Sequence, residues 1–138
     1  MTDKMTFKVV ANRVDAHGSN IKCKDALLVV DTNLNGRLDA FNPAELLMGA
    51  LAACIIKGIE RVTPILKFDL QGLDVEITGV RQDTPPKMES MQYAIKVKTS
   101  ESDHRLALLH DNVRKFGTVF NTIAPGTDLT GTLTRADS

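Results

Sequence analysis

Asn42-Pro43-Ala44-Glu45-Leu46-Leu47-Met48-Gly49-Ala50-Leu51-Ala52-Ala53-Cys54 is the stretch whose reading decides the fold. It has the features of a helix start. Asn42 supplies a side-chain acceptor at the N-cap. Pro43 takes the first helical position, where no N–H is needed, and Glu45 follows the cap by three residues. The pattern predicts a helix from residue 43 to about residue 62, stopping before Pro64. Leu46, Leu47, Met48, Ala50, Leu51, Ala53, Ile55, Ile56 and Ile59 cover most of its circumference. A helix apolar nearly all round is buried in a core or between subunits. Gly49, Ala50, Ala52 and Ala53 are small enough to let another backbone approach closely.

Toward the N-terminus, residues 7–14, 21–23 and 26–30 read as strands. A turn containing Gly18 at 15–20 separates the first two, and a loop with Asn35-Gly36 spans 31–42. Toward the C-terminus, Leu73, Val75 and Ile77 alternate with polar residues, as do Met91, Tyr93, Ile95 and Val97. These are two half-buried strands, and the short Thr84-Pro85-Pro86 segment between them implies an antiparallel pair. Leu106, Leu109, Val113 and Phe116 mark the stripe of a second helix over 102–116. Residues 129–134 read as a last strand, 136–138 as a fraying end, and 121–126 fits no single element. The expectation is one α+β domain, 1–138, with antiparallel sheets packed around the long Cys-bearing helix.

Composition narrows the function classes. Seventeen basic and seventeen acidic residues cancel, with no basic stripe for nucleic acid. There is no Trp, one Tyr and five Phe, too few for a base-stacking surface. The N-terminus, Met1-Thr2-Asp3-Lys4, does not read as a signal peptide. The longest apolar run, 46–56, is too short to cross a bilayer. The expectation is a cytoplasmic protein with no membrane partner. Two cysteines, Cys23 and Cys54, are too few for a disulfide framework or a thiolate metal site. His17, His104 and His110 form no metal-binding pattern, and no nucleotide or dinucleotide loop occurs, so no metal and no cofactor is expected.

Cys54 is the first candidate for chemistry. A free cysteine among alanines is ordinarily a packed small residue. It lies some three turns inside the helix, whereas the helix dipole acts within the first turn. A reactive Cys54 therefore needs a cationic neighbour, and Arg37 and Arg13 are the arginines that precede the helix. Glu45 is a cap first, and a carboxylate there can also orient an arginine.

The 42–54 segment resembles the central helix of the OsmC/Ohr family of organic hydroperoxide reductases. The order of elements matches over essentially the whole chain. The resemblance implies an intertwined homodimer with the long helices at its heart and the active sites at the subunit interface. It implies that Cys54 is a peroxidatic cysteine, activated by an arginine (Arg37 before Arg13) and a carboxylate, that reduces a small-molecule hydroperoxide. A second cysteine would then form a disulfide with it, which an external thiol or dithiol reduces. Here Gly117 occupies the resolving cysteine's place, and Ala44 stands where the reductases tend to have Glu. The expected function is thiol-dependent reduction of organic hydroperoxides. The alternatives are a non-catalytic relative that binds a small apolar ligand at the dimer interface, and a structural protein whose Cys54 is packing.

Overall fold

The computed structural model describes residues 4–137. Backbone contacts divide the chain into two compact units, Met1–Leu46 and Leu47–Ser138. In the first, β1 (Val10–Asp15), β2 (Gly18–Cys23) and β3 (Ala26–Val30) form an antiparallel sheet in that order. The expected six-residue turn shrinks to Ala16-His17, because the Asp15 carboxylate accepts the His17 N–H at 2.8 Å and β2 resumes at Gly18. A Cβ at Gly18 would crowd the Val30 carbonyl oxygen at 3.1 Å and push the tip of the Arg37 side chain aside. Phe7, Val9, Leu27 and Val29 are exposed around this sheet.

The loop after β3 is organised by one buried carboxylate. Asp31 accepts N–H bonds from Asn33 at 2.9 Å and Arg37 at 3.0 Å, and its own N–H donates to the Phe41 carbonyl. Gly36 takes φ +78°, a conformation that glycine adopts without steric penalty.

Helix α1 (Pro43–Leu66) starts as the sequence predicts. Asn42 Oδ1 accepts the Glu45 N–H at 2.8 Å, and Glu45 Oε1 accepts the Asn42 N–H at 3.0 Å, a reciprocal capping box. Its end differs from the expectation, because the helix continues through Pro64. Proline removes the N–H that would reach the Glu60 carbonyl, and the Thr63 hydroxyl donates to that carbonyl instead, at 3.2 Å. The stop comes at Lys67, in the left-handed region at φ +50°. Phe68 N–H reaches the Thr63 carbonyl and Lys67 N–H the Pro64 carbonyl, the two bonds of a Schellman ending. Within one chain only a stripe of α1 is covered (Leu51, Ile55, Ile59, Val62 and Thr63), while Leu47, Ile56 and Ile65 are exposed.

In the second unit, β4 (Gly72–Gln82) and β5 (Lys87–Lys98) form the expected antiparallel hairpin. Met91, Tyr93, Ile95 and Val97 face inward and are almost fully buried. Ser102 caps α2 (Asp103–Phe116), its side chain accepting the Arg105 N–H. A short helix, α3 (Thr118–Ile123), follows and takes in the first part of the 121–126 stretch that fitted no single element. The chain then returns as β6 (Asp128–Arg135), which adds to β5 in parallel, so this sheet is mixed. The α2–α3 segment supplies the crossover that a parallel neighbour requires. Ala136 is tied down by its N–H to the Val97 carbonyl at 2.9 Å, and Ser138 lies outside the described residues.

One cluster of apolar side chains from α1, β5, α2 and α3 forms the core of this unit. Each fully buried aliphatic or aromatic side chain contributes roughly 1.5–3 kcal/mol. Gly131 on β6 is demanded by Tyr93, whose ring atoms lie 2.3 Å from where a Cβ would be. The Tyr93 hydroxyl pairs with His110 Nε2 at 2.6 Å. Burial, aided by the positive charge of Arg114 and opposed by Asp111, holds the His110 pKa below its ordinary value. The native state therefore favours neutral His110. Its stabilising contribution is complete above pH about 6.5 and is lost as pH falls through the lower folded value. Urea unfolding at about pH 8 and about pH 5.5 should show a larger loss of stability on acidification for the wild type than for His110→Gln. Equal losses would contradict this.

Candidate functional site

Cys54 lies at the edge of the buried stripe of α1 and is partly exposed. Gly58 and Arg61 follow it at helical spacings of four and seven, so the three share one face. Opposite stand Asn112, Val113 and Phe116 of α2, with Gly117 and Phe120 beyond them. Together with Ile55 these residues enclose a crevice of about 10 Å3 beside the thiol, close to the minimum that holds one water molecule. A Cβ at Gly58 would meet nothing within 4 Å, which leaves that part of the helix face open.

Gly117 links α2 to α3 with ordinary backbone angles, φ −82° and ψ 125°. Its lack of a side chain serves space. A Cβ at this position would lie 3.0 Å from Cys54 Sγ and 3.0 Å from Phe120 Cβ. With an S–S bond of about 2.04 Å, a Cβ and the far sulfur of a disulfide are also separated by about 3.0 Å. Position 117 thus abuts Cys54, with this one separation equal to that across a disulfide.

Arg61 is the charged residue among those lining the crevice. Its guanidinium carbon lies 5.4 Å from the centre of the exposed Phe116 ring, within cation–π range. The sequence reading passed over Arg61, although its spacing of seven from Cys54 was the available signal. Asn112 was passed over too, and its amide is engaged by the Leu108 carbonyl at 3.0 Å.

The other sequence-predicted residues are described within the first unit. Arg37 grips Asp39 with both arms of its fork, Nε to Oδ1 at 2.6 Å and Nη2 to Oδ2 at 2.9 Å. That contact holds the Asp39 carboxyl below the usual carboxylate range. Arg13 borders a largely apolar cavity of about 200 Å3, walled by Ala11, Ile21, Val30, Pro43 and Leu46. Glu45 is the capping carboxylate already described. Among the described residues no group of three His, Cys, Asp or Glu side chains could hold a metal ion, and no helix is long and apolar enough to cross a membrane.

The fold is shared with solved proteins at low sequence identity. The chain is similar to an OsmC-like protein from Mycoplasma pneumoniae, with TM-score 0.89 and 16% identity over 98% of this chain and 100% of that one. It is also similar to an organic hydroperoxide resistance protein OsmC from Legionella pneumophila, with TM-score 0.70 and 20% identity over 97% and 100%. The organic hydroperoxide resistance protein OhrB of Bacillus subtilis superposes with TM-score 0.69 and 16% identity over 94% and 98%. No curated protein matches the chain by sequence. A family model described as OsmC-like protein matches residues 35–131, which include Cys54 and Gly117. With that match extending over most of the chain and the fold agreeing throughout, this protein belongs to the OsmC/Ohr family of OsmC-like proteins.

Proposed function

We propose that the protein reduces organic hydroperoxides with Cys54 as the single peroxidatic thiol. The observation that carries this reading is the 3.0 Å approach of the Gly117 position to Cys54 Sγ. It supports a reading in which a resolving sulfur at position 117, where the resemblance expects one, would act on Cys54. The hydroperoxide-resistance names of the Legionella and Bacillus proteins support the substrate class. The Cys54 thiolate attacks the terminal peroxide oxygen and the O–O bond breaks. The alkoxide leaves and takes a proton to become the alcohol, and Cys54 is oxidised to the sulfenic acid. Gly117 offers no thiol, so an external thiol or dithiol completes the cycle. Arg37 is our first choice for the cation that activates the thiol, with Arg13 second, and Glu45 is the carboxylate available to orient it. Consumption of cumene hydroperoxide in the presence of dithiothreitol, above the rate of dithiothreitol alone, tests the reading.

The same reading takes the protein as a homodimer. Leu47, Ile56 and Ile65 of α1 are exposed in one chain, as are Phe7, Val9, Leu27 and Val29 of the first unit. Apolar surface of that extent is ordinarily covered by a partner. Light scattering at low micromolar concentration should give about twice the 15.1 kDa chain mass. A stable monodisperse monomer would rule the dimer out.

The cavity of about 200 Å3 beside Arg13 favours a second reading, a non-catalytic protein that binds a small apolar ligand. A purified protein that leaves cumene hydroperoxide untouched yet carries such a ligand would support it.

A further inference from the structure

Resting on the reading of Cys54 as a peroxidatic thiol, we propose that Arg61 determines the specificity of the reducing step. It recruits a small thiol that carries a negative charge, such as a carboxylate or sulfonate. The wall beside Cys54 offers a hydrogen at Gly117 where a resolving residue would offer sulfur. The reducing sulfur therefore enters from solvent, through the exposed side of the crevice. Arg61 stands there, exposed, with its guanidinium carbon over the exposed Phe116 ring. Arg61 and Cys54 lie on one face of α1, two turns apart, and both line this crevice. No carboxylate lines the crevice. Among the described residues the Arg61 side chain forms no ion pair and no hydrogen bond. Within one chain its donors are therefore unengaged, and the planar fork suits a carboxylate or sulfonate held against the Phe116 ring.

The thiolate of the anionic thiol attacks the Cys54 sulfur. An S–S bond forms, the S–O bond of the sulfenic acid breaks, and the departing hydroxide takes a proton to become water. A second molecule of the thiol attacks the external sulfur of the mixed disulfide. Cys54 thiolate is released, and the two small thiols leave as their disulfide.

The test needs no peroxide. In Cys23→Ser protein, Cys54 is the remaining cysteine and is converted to its methyl disulfide with methyl methanethiosulfonate. Its cleavage is then timed with 2-mercaptoethanesulfonate, 2-mercaptoethanol and cysteamine at equal thiolate concentration. Each thiol serves as its own reference between Arg61 and Arg61→Gln. The anionic thiol should react roughly three- to fivefold faster with Arg61 present, the effect of one unit charge about 5 Å away in water-like surroundings. The neutral thiol should be unaffected and the cationic one slowed. Arg61→Glu should invert the order, Arg61→Lys should keep it, and about 0.5 M salt should erase it. Ratios near one for all three thiols would overturn the proposal. So would an Arg61→Gln effect of the same size on all three, which would mean that the side chain acts by bulk alone. Failure of cumene hydroperoxide to oxidise Cys54, with the charge preference intact, would remove the peroxide reading and leave Arg61's role in thiol exchange standing.

Discussion

Gly117→Cys, placed in a Cys23→Ser background, is expected to close a disulfide with Cys54 after one equivalent of peroxide. Intact mass should show the loss of two hydrogens. The Cβ of residue 117 would start 3.0 Å from Cys54 Sγ, already the separation found across a disulfide. The adverse contact is with Phe120 Cβ, also at 3.0 Å, and a small shift in the first turn of α3 relieves it. The bridge would close a loop of roughly sixty residues and stabilise the oxidised protein by about 4 kcal/mol against urea, on the chain-entropy account. Reduction should return the midpoint to that of the starting protein. A variant that yields only sulfinic or sulfonic Cys54 would show that the two positions do not meet in solution.

Cys54→Ser should abolish oxidation by cumene hydroperoxide and by hydrogen peroxide, because a hydroxyl is not a comparable nucleophile at neutral pH. Cys23→Ser should leave the first oxidation near normal. Cys23 lies on β2, next to a two-residue hairpin, with no cysteine opposite it in the register. Arg37→Ala should slow the oxidation by about a hundredfold, the scale of one lost charge-assisted contact. Arg37 already grips Asp39 within its own loop. Its loss could therefore loosen that loop, so circular dichroism and the urea midpoint belong beside the rate. A slow step with an unchanged midpoint assigns the effect to chemistry. An equal loss in Arg13→Ala but not in Arg37→Ala would move the activating role to β1.

Much of the fold was legible where the cause is local. Asn42, Pro43 and Glu45 state the start of α1 because capping involves residues three apart. The alternation from Met91 to Val97 states the inward face of β5 because side chains on a strand alternate. The misreadings have non-local or compensating causes. Pro64 does not end α1, because the Thr63 hydroxyl supplies the lost hydrogen bond. The parallel placement of β6 depends on a crossover through α2 and α3 that no short window displays. The apolar circumference of α1 is a property of sequence, but which faces one chain covers is a property of packing.

The site divides in the same way. Cys54 and the vacancy of sulfur at Gly117 followed from resemblance, and their 3.0 Å approach comes from the turn between α2 and α3. Arg61 was visible as a residue seven after Cys54. What gives it meaning is Phe116, a residue far along the chain, beneath its guanidinium. Arg37's bidentate partner, Asp39, is only two residues away. A spacing of two is not read as a pair on a helix, and in this loop it becomes one where the chain bends at residues 38–40.

The most direct measurement is stopped-flow oxidation of the wild-type protein by cumene hydroperoxide and hydrogen peroxide, with dimedone trapping to locate the product. The account predicts that Cys54 carries the trapped sulfenic acid. It predicts a rate well above that of a free thiol of ordinary pKa, about 8.5, and a faster reaction with the organic peroxide, in keeping with the apolar Ile55, Val113, Phe116 and Phe120 around the thiol. A Cys54 that reacts no faster than such a free thiol would contradict it, and the cysteine would then be a packing residue.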